Sequence, residues 1–347
     1  MEIVKKENYQ GYETVLFATD KKTNFKAIIA VHSTVLGPAL GGCRMWFYKS
    51  DEEALTDVLR LAEGMTYKNS AMGLNLGGGK AVIIGDPRTD KSSELFARFA
   101  EAVNALGGKY YTAEDVGITP QDMLEVSRHT PYVAGLPAKS GDPAPFTAFG
   151  VYMGMKAALE YVFGETSLKG KKVAVQGLGH VGMYLLEHLH QEGAELIVTD
   201  IFEDRVAEAI KRFNARFVKP EQIYDVEADI FAPCALGGIL NENTIPRLKV
   251  KIVAGAANNQ LAKLEDGKLL AERGIVYVPD FIINGGGVIN VAEELNPEGY
   301  DQNRVKAKVA TIYDKVKEVL TLSREQKITP QEAAIMYAKK RLLQRRA

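Results

Sequence analysis

This sequence predicts an α/β protein of two domains. Short apolar segments of strand length alternate with amphipathic helical stretches along most of the chain, the pattern of sheets covered by helices. A Pro/Gly-rich segment, Ser140-Gly141-Asp142-Pro143-Ala144-Pro145, separates two such stretches and reads as a hinge. The 347 residues, 46% of them hydrophobic, exceed one ordinary domain and suffice for two cores. The expected domains are residues 1–142 and 143–324, with a C-terminal helix, 325–347, returning to the first.

In the first domain, Lys26–Val31 reads as a strand. Ser50 opens a helix with a capping-box pattern, Ser50 at the N-cap and Glu53 at the third helical position. That helix is expected to reach about Ala71, with Leu59, Ala62 and Thr66 on one face. Gly77-Gly78-Gly79 reads as a turn, followed by strand Ala81–Ile84, a helix over Leu95–Leu106 and strand-like Lys109–Tyr111; Gly37–Arg44 reads as a loop. The second domain is more regular. Strand Lys172–Gln176, helix Met183–Glu192 with Gly193 as its stop, and strand Leu196–Asp200 form a βαβ unit. Further strands are expected at Ile230–Ala232, Ile252–Ala254 and Ile275–Val278, then helices Asn303–Ser323 and Thr329–Arg345. Tyr152, Tyr161 and Phe163 follow a helical spacing and read as core.

The βαβ unit carries Gly177-Leu178-Gly179-His180-Val181-Gly182, a G-x-G-x-x-G motif placed between strand and helix. Gly177 permits the tight turn, Gly179 the approach of a pyrophosphate to backbone N–H groups, and Gly182 close helix–strand packing. His180 and Val181 begin the helix whose positive end would face the phosphates. Asp200, roughly 20 positions on, suits the ribose hydroxyls. Its carboxylate repels a 2′-phosphate, and Ile201 and Phe202 offer no cation, so NAD is expected over NADP. The second domain is therefore a Rossmann-type doubly wound dinucleotide-binding domain. The other glycine run, Leu76-Gly77-Gly78-Gly79-Lys80, is no P-loop: Leu74 stands at the first glycine position and Ala81 replaces the magnesium-binding hydroxyl.

Two lysines stand out in the first domain. Lys68 lies near the end of the Ser50 helix and Lys80 between three glycines and an apolar strand. Lysines are seldom buried without reason, and glycines beside one suggest a close approach of backbone or ligand. Ammonium groups that share a cleft depress one another's pKa, a route to an amine base near neutral pH. Glu114-Asp115 follows a strand, where a carboxylate can transfer protons or simply cap a helix.

At this point the chain resembles a known family. Gly37-Pro38-Ala39-Leu40-Gly41-Gly42-Cys43-Arg44-Met45, Gly64-Met65-Thr66-Tyr67-Lys68, Gly77–Lys80 and Thr112-Ala113-Glu114-Asp115 are similar to the Glu/Leu/Phe/Val dehydrogenase family. The likeness continues through Ala232–Ala235, Ala257–Leu261 and Ile283–Asn290. The resemblance implies that the first domain binds substrate and mediates oligomerisation. It implies oxidative deamination of an amino acid, with Lys68 holding the substrate carboxylate, Lys80 activating water and Asp115 shuttling protons. A water-excluding cleft would strengthen these interactions. Thr147 and Asn259 are placed near the nicotinamide or the substrate, and a homo-oligomer, commonly an octamer, is implied.

Glutamate-specific members typically carry a lysine where this chain has Leu40. Burying a carboxylate without that partner is costly, so glutamate is not the expected substrate. The resemblance makes Leu40, Gly41, Ala113, Val288 and Val291 substrate-binding, an apolar set suited to leucine and other branched-chain residues. Gly79 and Gly285 stand where many leucine-specific members carry alanine, and Gly79 resembles the members that act on phenylalanine or tryptophan; a methylene changes binding by only about 1–3 kcal/mol. A non-catalytic NAD-binding sensor is the reading from another class, opposed by the joint presence of Lys68, Lys80 and Asp115.

Other classes find little support. A net charge of −1 gives no field for nucleic acid or anionic lipid, and the basic Lys339–Arg346 stretch alternates with apolar residues as a solvated helix face does. No segment reaches the roughly 18 apolar residues of a membrane span, and Met1–Lys6 lacks a signal-peptide core; a cytoplasmic location is expected. Cys43 and Cys234 are the only cysteines and read as free thiols, Cys234 as inert beside the cofactor. His188 and His190 point to different helix faces, so no metal is expected.

Overall fold

The structure, a computed structural model, describes residues 1–346. The chain forms two compact units, one from residues 1–142, 291–300 and the chain from Ala338 on, the other from 143–290 and 301–337.

The first unit opens with strands β1 (Glu2–Tyr9), β2 (Tyr12–Asp20), β3 (Phe25–Ser33) and β4 (Ala39–Trp46). Helix α1 (Asp51–Ala71), strand β5 (Gly77–Ile84), helix α2 (Ser93–Asn104), strand β6 (Tyr110–Ala113) and helix α3 (Pro120–Ser127) follow. The sheet order is β1-β2-β3-β5-β4-β6, antiparallel from β1 to β5 and parallel across β5, β4 and β6. Because strand side chains alternate faces, Val15, Ile28, Ala30 and Val82 pack with Ala54, Val58 and Ala62 of α1. Leu16, Ile29, Cys43 and Ile83 pack on the other face with Phe99 and Val103 of α2 and Met123 of α3. Sheet between helices gives three layers.

The second unit comprises α4 (Ala144–Phe163), β7 (Lys172–Gln176), α5 (His180–Gln191), β8 (Glu195–Thr199), α6 (Glu203–Phe213), β9 (Arg216–Phe217), β10 (Ile230–Pro233) and β11 (Ile252–Val253). Helix α7 (Asp266–Glu272), strand β12 (Val276–Tyr277) and helices α8 (Asp280–Ile283), α9 (Gly286–Glu293), α10 (Gln302–Ala310), α11 (Ile312–Gln326) and α12 (Pro330–Arg346) complete the chain. Its sheet is parallel in the order β12-β11-β10-β7-β8-β9. The chain reverses direction of winding between β7 and β10, the switch point of a Rossmann fold, where loops leave the carboxyl ends of two adjacent strands. Among the described residues no helix is long and apolar enough to cross a membrane.

Several expectations need correction. The Gly77–Gly79 segment is no turn but the start of β5, and the Gly37–Arg44 segment is mostly strand β4. Glycine there serves packing: a Cβ on Gly78 would lie 2.0 Å from the Thr66 amide nitrogen of α1. Only half of the expected capping box forms. Ser50 accepts from the Glu53 amide, but Glu53 accepts from Lys49, not Ser50. The helix expected over Asn303–Ser323 is broken at Thr311, whose hydroxyl donates to the Lys308 carbonyl at 2.7 Å and accepts from Lys315 at 2.7 Å. Phe163 is not core; it ends α4 exposed, with the Lys171 ammonium over its ring.

These contacts predict opposite outcomes for two glycines, one on β5 and one on α1. Gly78→Ala forces backbone apart and is expected to cost at least about 1–3 kcal/mol. Gly64→Ala, on α1 with nothing within 4 Å of the added carbon, is expected to gain about 0.4–1 kcal/mol. Urea midpoints of the two variants, moving down and up respectively, check this.

Candidate active site

Lys80 sits in the middle of β5, register-paired with Ala30 of β3, and its side chain is 6% exposed. A buried ammonium requires a fixed partner. Lys80 Nζ lies 3.2 Å from Asp115 Oδ2. The same oxygen receives Arg44 Nε at 3.0 Å, and Arg44 Nη1 reaches Asp57 Oδ2 at 2.8 Å. Asp115 follows β6 and crosses tightly over β4: a Cβ on Gly42 would stand 2.3 Å from the Glu114 carbonyl oxygen and 2.9 Å from Asp115 Cβ. Burial alone would raise the Asp115 carboxyl, but the charges and hydrogen bonds of Lys80 and Arg44 outweigh it and hold the carboxyl below its ordinary value. Glu114 goes the other way, raised by burial and by the charges of Asp142 and Asp115.

Lys68 occupies the last turn of α1. Its neighbour Asn69 donates to the carbonyls of Leu40 (3.1 Å) and Gly77 (2.6 Å), fixing that turn over β4 and β5. Leu40 is buried on β4 and register-paired with Gly78 and Tyr111; Gly41 pairs with Thr112, and Gly42 with Ala113. Tyr110 donates to the Gly41 carbonyl at 2.6 Å. Ala113 and Val291 converge on Gly135, where an added Cβ would lie 3.8 Å from Ala113 Cβ and 3.7 Å from Val291 Cγ2. Val288 lies one turn before Val291 on α9, so both project to one side. A Cβ on Gly79 would meet the Tyr110 ring at 2.8 Å and the Ala30 carbonyl at 3.0 Å, so a side chain there would require the ring or the sheet to shift.

In the second unit the glycine loop has the geometry that its spacing predicts. Gly177 has φ +100°, and a Cβ would stand 2.7 Å from that of Ala235, beyond β10. A Cβ on Gly182 would meet the Gly177 carbonyl oxygen at 2.1 Å, whereas Gly179 faces open space. His180 and Val181 form the first turn of α5, so the loop opens onto a helix N-terminus, as a pyrophosphate requires. Asp200 accepts the Leu178 amide at 2.6 Å through Oδ2 and the Phe202 amide at 2.9 Å through Oδ1. Ile201 and Phe202 are exposed, but a cation does stand nearby: Arg205 packs 4.5 Å from the centre of the Phe202 ring. Asn259 lies in the loop after β11, exposed and at φ +51°, its carbonyl held by the Gly238 amide at 2.7 Å. Thr147, in the first turn of α4, donates to the Pro143 carbonyl at 3.0 Å and lies 2.7 Å from where a Cβ on Gly287 would fall. These residues fit a dinucleotide: an uncluttered backbone cradle, a helix N-terminus and a carboxylate at the neighbouring strand end.

Arg44, Asp57, Asn69 and Gly135 escaped the sequence reading. The only sign of Arg44 was a charge inside an apolar, glycine-bearing segment. Cys234 is partly buried, and desolvation pushes its thiol up to about 12, which makes it a poor nucleophile. Among the described residues no group of three His, Cys, Asp or Glu side chains is placed to hold a metal ion.

Residues 12–132 match the Glu/Leu/Phe/Val dehydrogenase dimerisation domain, and residues 141–200 and 198–347 match the Glutamate/Leucine/Phenylalanine/Valine dehydrogenase domain. The chain is 54% identical over 345 residues to a leucine dehydrogenase of Geobacillus stearothermophilus, covering 99% of this chain and 94% of that one. It is 55% identical over 334 residues to a leucine dehydrogenase of Thermoactinomyces intermedius, covering 95% and 91%. The crystal structure of L-tryptophan dehydrogenase from Nostoc punctiforme superposes with a TM-score of 0.86 at 44% identity, covering 97% of both chains. The chain belongs to the Glu/Leu/Phe/Val dehydrogenase family.

The depressed Asp115 carboxyl has a consequence for stability. A group whose folded pKa lies below its unfolded value stabilises the fold above the unfolded value, and that contribution fades as pH falls through the folded one. Asp115→Asn is therefore expected to melt below the unmutated protein at pH 7, the gap closing as pH drops below about 4. Calorimetric midpoints between pH 7 and pH 3 check it; a gap of constant size would refute the assignment.

Proposed function

We propose that this member of the Glu/Leu/Phe/Val dehydrogenase family oxidatively deaminates L-leucine and other branched-chain L-amino acids with NAD, reversibly giving the 2-oxo acid and ammonia. The observation that carries the reading is the buried Lys80–Asp115 contact at 3.2 Å on the same sheet as Leu40 and Ala113. Identity above one half to two leucine dehydrogenases supports the substrate class. Assembly as a homo-oligomer is part of the proposal, with an octamer the state that family resemblance implies.

The residues divide the work by chemistry. Lys68 supplies a fixed cation for the substrate carboxylate, and Leu40, Ala113, Val288 and Val291 receive the apolar side chain. When bound, the nicotinamide supplies the acceptor for hydride leaving the substrate Cα. Lys80 Nζ, acting as the unprotonated amine, takes a proton from the water that adds to the oxidised carbon, forming the new C–O bond. Asp115 Oδ2 orients that amine, takes the proton the substrate ammonium gives up before hydride leaves, and returns it to the departing nitrogen as the C–N bond breaks, releasing ammonia. Asp200, with two of its roughly four acceptor sites still available, receives the ribose hydroxyls and disfavours a 2′-phosphate. Thr147 and Asn259 position the nicotinamide end.

Absorbance of NADH tests this directly. Leucine, valine and isoleucine are expected to drive reduction of NAD with kcat/KM above that of phenylalanine, and far above that of glutamate. A preference for phenylalanine would overturn the substrate assignment, and efficient turnover with NADP the cofactor assignment. Lys80→Ala is expected to lower kcat by about 10²–10⁴ while NAD still binds, measured by quenching of protein fluorescence. Near-normal turnover in that variant would remove Lys80 as the base.

A further inference from the structure

We propose that Arg44 is a positioning residue for the reaction: held by Asp57, it clamps the Asp115 carboxylate so that Oδ2 meets Lys80. The inference rests on the acid–base roles proposed above for Lys80 and Asp115 and gives a part to two residues outside that machinery.

The guanidinium of Arg44 presents donors in a rigid plane. Nε takes Asp115 Oδ2 at 3.0 Å and Nη1 takes Asp57 Oδ2 at 2.8 Å, so one fork fixes two carboxylates. Asp57, on α1, is anchored in turn by the Tyr48 hydroxyl at 2.8 Å and by Arg60 at 3.3 Å. The Arg44 and Asp57 side chains are 21% and 15% exposed, unlike the solvated pairs that contribute little. Arg44 comes from β4 and Lys80 from β5, so the Asp115 oxygen is drawn from both sides and has one place to rest.

The charged and titratable groups around Asp115 are Lys80 from β5, Arg44 and Cys43 from β4, Tyr48 beyond β4, Tyr110 from β6 and the adjacent Glu114. Of these, only Lys80 and Arg44 favour its ionised form. Without Arg44, burial is opposed by Lys80 alone, and Asp115 ionises at higher pH.

The test compares pH profiles of kcat/KM for leucine in the intact protein and in Arg44→Met, Arg44→Lys and Asp57→Asn. Arg44→Met is expected to move the acidic limb upward by about one pH unit or more. It should also lower kcat by about tenfold to a hundredfold, with a much smaller change in KM. Arg44→Lys restores a cation without the fork and is expected to recover part of both effects. Asp57→Asn leaves Arg44 charged but loosely held and is expected to shift the limb less. An unmoved limb in Arg44→Met overturns the proposal, whatever the thermal midpoint. Should that variant not fold, unchanged limbs and kcat in the other two overturn it. Carbon-13 NMR titration of the Asp115 carboxyl needs no turnover. An upward shift in Arg44→Met, beside an unmutated protein that deaminates nothing, would sink the reaction and leave the clamp standing.

Discussion

Asp115 Oδ2 serves two cations at once, Lys80 on one side and Arg44 on the other, and much of the first unit is arranged around that sharing. Withdrawing an ion from water costs several kcal/mol unless it is paired and hydrogen-bonded. The charges here are ordered to meet that cost. From Lys80 they alternate in sign through Asp115, Arg44 and Asp57 to Arg60, with side chains 6–22% exposed as far as Asp57 and 65% exposed at Arg60. The most buried ammonium has a partner held from both sides, and the chain of charges ends where water takes over. Breaking it in the middle strands a buried charge; breaking it at Arg60 does not.

Such crowding of ionic groups requires backbone to come close to backbone, which is the service of the glycines on β4 and β5. A Cβ on Gly41 would stand 1.9 Å from the Gly79 carbonyl oxygen, and one on Gly42 would displace the Glu114–Asp115 segment. The same device recurs in the second unit, where Gly182 lets α5 approach the Gly177 carbonyl. In the first unit the closeness serves a charge pair; in the second it leaves open the surface above Gly179. Glycine at these places acts through the absence of a side chain, and only Gly177, at φ +100°, also needs the left-handed backbone.

What could be read in the sequence follows the range of the forces involved. The βαβ unit was legible because its signals are local: apolar runs of strand length, glycines at fixed offsets and a carboxylate at the next strand end. The hairpin of β1 and β2 was not. Strand β1 is almost wholly exposed and so carries no apolar alternation, and its two-residue turn is Gln10-Gly11, both at positive φ, in place of the usual Asn-Gly. Glycines concealed β4 and the start of β5 because a run of them looks like a turn until the facing backbone is seen. The break at Thr311 was hidden too, since the helical period continues across it. The Lys80–Asp115 contact came only through family resemblance. Arg44 could not be paired from sequence at all, for its two carboxylates lie 13 and 71 positions away and nothing local chooses them.

Asp200 shows how one residue can join fold to chemistry. Its carboxylate accepts the Leu178 amide at 2.6 Å and so ties the glycine turn after β7 to the end of β8. The same group is the proposed acceptor for ribose hydroxyls. An ionised carboxylate has about four acceptor sites, and the two amide bonds to Leu178 and Phe202 leave room for both tasks. Its proposed preference against a 2′-phosphate is therefore tied to the shape of the phosphate loop: an uncharged side chain there would hold the Leu178 amide by a weaker bond. Arg205, stacked on Phe202 beside it, supplies positive charge nearby. On the proposed role of Asp200, selection of the unphosphorylated ribose is thereby tied to the carboxylate that holds the glycine turn.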